Sequence, residues 1–228
     1  MPIRSSRRIA RAFALLTLCA LAGCAPREVL KLHYLNGFVP GTRAIFLPAS
    51  IAVAPVSGDL ASGTHDVGNI YSPSGHLEKV LQVSDAGAVV HDALMTSLAD
   101  AGLKPIAVDS SIDPKDLKTV VDAMLSCELQ QLTVAKNFRA EQTIHGQYFT
   151  MTSRVKLKYR LERRDGSVIY DNEVTGAEDE PPKPVGGEAF FPLETDPAES
   201  LSVALSRAIG DLLADPKFRQ AFPRRTAP

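Results

Sequence analysis

Two kinds of apolar spacing run along the chain. Val121, Ala123, Leu125, Cys127 and Leu129 alternate with Asp122, Met124, Ser126 and Glu128. A period of two predicts a strand with one buried face. The phase then shifts to Leu132 and Val134. One extra residue near Gln130-Gln131, a β-bulge, accounts for the shift. Thr152 to Glu162 alternates again, with Val155, Leu157, Tyr159 and Leu161 on one side and Arg154, Lys156, Lys158 and Arg160 on the other. Asp165-Gly166 has the composition of a two-residue hairpin centre. Folding about it pairs positions whose numbers sum to 331. Arg160 then faces Asp171 and Lys158 faces Glu173, while Leu161 meets Tyr170 and Leu157 meets Val174. Apolar pairs fall on one face and opposite charges on the other, as cross-strand pairing favours. The basic stripe is therefore predicted as a neutralised solvent face and not as a surface for nucleic acid or anionic lipid.

Elsewhere the period is helical. Val90, Leu94, Leu98 and Ala101 form one stripe, with Ser84 expected as its N-cap, Asp85 in the first turn and Gly102 as its C-cap. Leu201, Ala204, Leu205, Ala208, Ile209 and Leu212 form a second stripe, opened by the capping-box sequence Asp196-Pro197-Ala198-Glu199. Asp215-Pro216 predicts a short last helix through Phe222. Ser50 to Val56 reads as a strand whose Pro55 marks an edge or an end. Val67 to Val83 reads as a hairpin about Ser72-Pro73-Ser74-Gly75, and Leu103 to Val108 as a further strand. Asp113-Pro114 predicts one helical turn. This order predicts an α+β fold, a mixed or antiparallel sheet with two main helices packed on one face. The sequence shows no internal repeat.

The amino end follows another logic. Arg4, Arg7, Arg8 and Arg11 precede AFALLTLCALA, an uncharged run from Ala12 to Ala22. That run is shorter than the roughly 20 residues needed to span a bilayer and fits the apolar region of a secretory signal. Leu21-Ala22-Gly23-Cys24 resembles the bacterial lipobox. The resemblance implies cleavage after Gly23, lipid attachment at Cys24 and acylation of the new amino group, giving stable anchoring through several acyl chains. Ala25 follows the cysteine where an inner-membrane retention signal would have aspartate, which points to the outer membrane, periplasmic face. Ser6-Arg7-Arg8 lacks the usual continuation of a twin-arginine signal, so general secretion is expected. The predicted organisation is a signal peptide over 1–23, a lipidated tether over 24–48, one globular domain over 49–222 and a flexible tail over 223–228.

Removing the signal changes the charge. The whole chain carries 25 basic and 26 acidic groups, and residues 1–23 contain four arginines and no acid. The remaining 205 residues therefore carry 21 basic against 26 acidic groups, a net charge of −5. An acidic surface gives no counterion-release drive toward nucleic acid. Of the three cysteines, Cys19 leaves with the signal and Cys24 is the lipid acceptor. Cys127 is left alone, without a disulfide partner, as a buried and inert thiol.

Candidate chemistry is sparse. His33, His65, His76, His91 and His145 lack the close spacing of a metal pair, and neither a nucleophile elbow nor a phosphate loop occurs. Glu178-Asp179-Glu180 is expected in a solvated run where nothing tunes a carboxylate for catalysis. No enzyme, metal or cofactor is expected. Residues 177–196 hold four prolines and two glycines, which argue against regular structure over most of the segment. Pro181, Pro182 and Pro184 stiffen it, and Phe190-Phe191 supplies an apolar anchor. Two readings stand: the phenylalanines cover a sheet edge, or this segment docks a partner.

IAVAPV, ADAGL, SRVKLKYRLERRDGSVIYDNEVTG and ESLSVALSRAIGDLLAD follow one another in an order similar to the auxiliary lipoproteins of envelope ABC transporters. The order is also similar to that of several uncharacterised bacterial lipoproteins. The resemblance covers about residues 50 to 215. It implies a lipid-anchored envelope component that binds a protein partner or assists transport across the periplasm. A structural or assembly-factor lipoprotein linking outer membrane and peptidoglycan is the alternative, and a secreted hydrolase a third reading.

Overall fold

The predicted alternation over 121–134 and 152–162 becomes the longest ladder of the molecule, β6 (Ala123–Ala140) against β7 (Gln147–Arg163). This is a computed structural model, and it describes residues 25–35, 46, 48–72, 74–108, 120–140, 147–180, 183–185 and 196–222. Leu125, Leu129, Val155, Leu157, Tyr159 and Leu161 are all buried, so one face of the ladder is core. The register slips between Leu129 and Gln131, where the phase change requires an extra residue.

The other strands flank this pair. Along β6 run β2 (Ser50–Val53) and β3 (Thr64–Tyr71), both parallel to it. β5 (Lys104–Ala107) continues the sheet beyond β2, and β4 (Leu77–Ser84) continues it beyond β3. β1 (Arg27–Leu30) lies parallel to β4 at that outer edge. Along β7 run β8 (Val168–Asp179) and β9 (Lys183–Val185). The result is a mixed nine-stranded sheet among the described residues. Helices α1 (Ala86–Asp100) and α2 (Pro197–Ala214) share one hydrophobic cluster with its buried face, and α3 (Pro216–Gln220) closes one end through Phe218. The fold is α+β, as the pattern of elements predicts.

Several local expectations change. Ser84 does not cap α1. It pairs with Thr64 at the end of the β3–β4 ladder, their hydroxyls 2.7 Å apart, because the strand runs directly into the helix. Asp85 takes the junction at φ 49°, and its carboxylate accepts from the Gly63 N–H, 3.1 Å. Pro55 marks a strand end and not an edge, since β2 lies between β5 and β6. The expected pairings of residues 157, 158, 160 and 161 with 174, 173, 171 and 170 hold. The turn itself differs. The Gly166 N–H bonds the Arg163 carbonyl, so Arg164-Asp165 is the centre and Gly166, at φ 84°, is the left-handed residue that follows. A second irregularity beyond Leu161 restores the predicted register.

Three other stretches also depart from expectation. Residues 27–30, inside the predicted tether, form a sheet strand. The chain then crosses α2, where the His33 and Leu35 N–H groups donate to the Ser202 and Ser206 hydroxyls at 3.2 and 3.1 Å. Regular structure also enters the proline-rich segment. β8 continues to Asp179, and Lys183–Val185 pairs with Gln147–Phe149. Pro184 is tolerated there because β9 pairs on one side only, which spares the amide it lacks. Asp113-Pro114 and the 223–228 tail lie outside the described residues.

The packing of α2 on β8 is unusually close. At Gly176 a β carbon would stand 1.9 Å from the Ala204 carbonyl oxygen and 2.6 Å from the Ala208 nitrogen. Small residues on both elements let helix and strand backbones touch. Asp196 caps α2 by accepting from the Ala198 N–H at 2.8 Å, with Pro197 at the first helical position. The whole predicted stripe is buried, and so are Ser200, Ser202 and Ser206.

Candidate functional site

Among the described residues, polar and reactive groups gather in four regions. The first is an open cleft of about 470 Å³ at the start of α1, lined among others by Ser57, Gly58, Ser62, Gly87 and His91. Its histidine stands 3.5 Å from the neighbouring Asp92 carboxylate through Nδ1. Nearby, His65 Nε2 contacts the Ser62 carbonyl oxygen at 2.7 Å. These groups face separate partners and do not converge on a shared point. Among the described residues no three His, Cys, Asp or Glu side chains gather as a metal site. His145 lies outside the described residues.

The second region is the buried middle of the β6–β7 ladder. Cys127 is 2% exposed, and burial together with the adjacent Glu128 carboxylate pushes its thiol up to about 12. A thiol so far from ionising is a core side chain and not a nucleophile. Tyr159 beside it is fully buried, and burial raises its phenol well above the ordinary value. Its hydroxyl has no hydrogen-bond partner among the described residues.

The third region is the charged face of β7 and β8. Lys156 Nζ pairs with Glu173 at 2.6 Å and Arg154 with Asp179 at 2.7 Å. Arg160 pairs along its own strand with Glu162 at 2.7 Å. The basic stripe is thus interleaved with acids. Its pairings are diagonal or within a strand, not straight across as the register alone implies. Glu178, expected in a solvated run, pairs instead with Arg207 of α2. Glu178 therefore anchors sheet to helix, while Asp179 pairs with Arg154 within the sheet.

The fourth region, a polar cluster, escaped sequence reasoning. The Tyr170 hydroxyl and the Asn172 amide both donate to Asp215 Oδ2, at 3.0 and 3.1 Å. Asp215 Oδ1 accepts from the Lys217 N–H at 2.7 Å and so caps α3. Burial works against the charged carboxylate, but these donors outweigh it and hold Asp215 below its ordinary value. The Asp-Pro pair signals the cap. No local signal gives the two donors 45 and 43 residues away.

Of the expected partner-binding residues, Pro184 lies in β9, whereas Pro181, Pro182, Phe190 and Phe191 lie outside the described residues. Gly23 and Cys24 lie outside them as well. Cys24 directly precedes Ala25 and Pro26, and the Pro26 carbonyl accepts from the Val80 N–H at 3.0 Å. No described helix is long and apolar enough to cross a membrane.

No family model matches this sequence, and no curated protein does. Solved structures offer distant likenesses. Protein XCC0632 from Xanthomonas campestris, of the family DUF330, is 17% identical, with a TM-score of 0.49 over 83% of this chain and 93% of its own. A neuraminyllactose-binding hemagglutinin homolog from Helicobacter pylori is 12% identical, with a TM-score of 0.45 over 85% and 95%. Lipoprotein GNA1162 from Neisseria meningitidis is 14% identical, with a TM-score of 0.35 over 74% and 100%. At such identities and scores these likenesses carry nothing about activity or partners.

Proposed function

We propose that this chain is a lipid-anchored envelope protein, held at the periplasmic face of the outer membrane through Cys24, whose folded domain binds a protein partner without catalysing a reaction. The carrying observation is the charged opening, short apolar run and Leu21-Ala22-Gly23-Cys24 sequence placed immediately before a folded strand at Arg27. An attached lipid is then the only device needed to hold the domain at a membrane. An accessory role in an ABC transport system is the specific form favoured by the order of the sequence segments. Docking is assigned to residues 177–194, where Pro181, Pro182 and Pro184 precede Phe190-Phe191 and where β9 ties the chain back to the sheet.

The anchor is tested by Cys24→Ala, which should release the chain from the membrane fraction or leave the precursor uncut. Normal processing with unchanged retention would refute it. The docking role is tested by Phe190→Ala with Phe191→Ala, read by thermal unfolding and by recovery of envelope partners after cross-linking. Unchanged melting with lost recovery supports docking. A large fall in melting temperature assigns the phenylalanines to the core instead.

A further inference from the structure

We infer that the β3–β4 hairpin tip is a second membrane contact, lying in the headgroup region of the leaflet that holds the Cys24 acyl chains. This inference rests on the anchor reading. It starts from strand geometry. β1 and β4 are parallel, with Arg27 opposite Val80, and the Pro26 carbonyl extends the ladder by one more hydrogen bond. Followed toward their amino ends, both strands therefore leave the sheet in the same direction. On β4, Leu77 lies three residues before Val80, about 10 Å at the usual strand rise. On β1, Cys24 is bonded to Ala25, which sets its Cα about 3.8 Å from that residue. No long tether separates lipid from fold, so the end of the sheet carrying the tip is held near the bilayer.

The tip is chemically suited to that place. Tyr71 and Leu77 are cross-strand partners at the end of the hairpin, 43% and 42% exposed. The other large exposed apolar side chains among the described residues lie elsewhere: Val29 further along β1, and Val120 and Val168 toward the opposite end of the β6–β7 ladder. From Tyr71 to Leu77 the sequence holds no Asp, Glu, Lys or Arg. Three amides among the described residues of the tip are paired within it. The Ser72 N–H bonds the His76 carbonyl at 2.8 Å, the Gly75 N–H bonds the Ser72 carbonyl at 2.9 Å, and the His76 N–H bonds the Ser72 hydroxyl at 3.0 Å. Internally paired amides lower the cost of leaving water. A tyrosine beside an aliphatic side chain is the composition that favours the membrane–water boundary. Behind the tip, Lys79 is paired with Glu28 at 2.8 Å.

The chain contains no tryptophan, which permits single reporters. The full acylated protein carrying Tyr71→Trp, Leu77→Trp or, at the far end, Val168→Trp would be reconstituted in phosphatidylethanolamine–phosphatidylglycerol vesicles, with and without brominated acyl chains. Acylation at Cys24 is scored separately by metabolic palmitate labelling and mass. The expected result is blue-shifted emission from positions 71 and 77, quenched by brominated lipid, with position 168 unaffected. Label at Cys24 with unshifted emission at 71 and 77 would overturn the tip contact and leave the anchor standing. A blue shift that brominated lipid does not quench would mean that protein covers the tip, and would overturn it equally. No label at Cys24 would overturn both.

Discussion

Gly176 of β8 lies directly beneath Ala204 of α2, so close that a β carbon on the glycine would stand 1.9 Å from the Ala204 carbonyl oxygen. The obstacle is helix backbone, which cannot swing aside as a side-chain tip would. Gly176→Ala must lift α2 from a sheet on which Leu201, Leu205, Ala208 and Leu212 are wholly buried. We expect a loss of about 3 kcal/mol, at the upper part of the overpacking range, in urea unfolding. Gly166→Ala is the contrast. Nothing lies within 4 Å of its β carbon, and only the left-handed φ of 84° is strained, at about 1–2 kcal/mol.

The Ser153 and Ser200 hydroxyls meet at 2.8 Å, both buried, between β7 and α2. Removing one leaves the other without its partner in the core. Ser200→Ala alone should cost about 1–3 kcal/mol, the penalty of an unsatisfied buried hydroxyl. The double variant Ser153→Ala with Ser200→Ala should recover part of that loss. A double-mutant cycle in equilibrium unfolding measures the coupling, and strict additivity would show that the hydroxyls do not depend on each other.

Glu173 lies opposite Lys158 in register but bonds Lys156, at 2.6 Å. The hydrogen bond from Lys156 holds its carboxyl below the ordinary value. The pair is solvent-exposed, so the effect is small and screened by salt. The coupling of Lys156 with Glu173 should exceed that of Lys158 with Glu173 in parallel cycles, and it should shrink as salt is raised. Equal couplings would mean that the stripe acts as a diffuse field without specific partners.

Asp215 ties β8 to α3. Its folded-state value lies below the ordinary 3.8. Its contribution is therefore complete above the unfolded value and fades as pH falls through the folded one. Asp215→Ala should cost about 1 kcal/mol near neutral pH, as for a lost helix cap. The gap between wild type and variant should narrow as pH falls from the ordinary carboxylate value through the lowered folded one. Unfolding curves at several pH values check this. A gap independent of pH would mean that charge plays no part in the clamp.

The sequence by itself determined which residues face inward and how the longest strands pair. Side-chain alternation has a period of two, and a slip of one residue would expose Leu157, Tyr159 and Leu161 together. The helical stripes were equally plain, because the apolar residues of α2 repeat at the spacing of a turn. The bulge at Gln130 showed itself as a change of phase. Local chemistry reached less far. Ser84 has a capping side chain, but the β3–β4 ladder holds it as a strand residue. Arg164, Asp165 and Gly166 contain a turn signal, yet only the hydrogen bond from Gly166 to Arg163 fixes its centre. Tertiary structure alone decided that Arg27–Leu30 joins the sheet, that Ser202 and Ser206 receive the crossing chain, and that Tyr170 and Asn172 meet Asp215. Each of these contacts joins groups far apart in the chain, through a short edge ladder at Arg27–Leu30 and through single hydrogen bonds at the others. Such bonds leave no periodic trace, because they depend on where the packed layers bring two backbones together and not on the residues beside them.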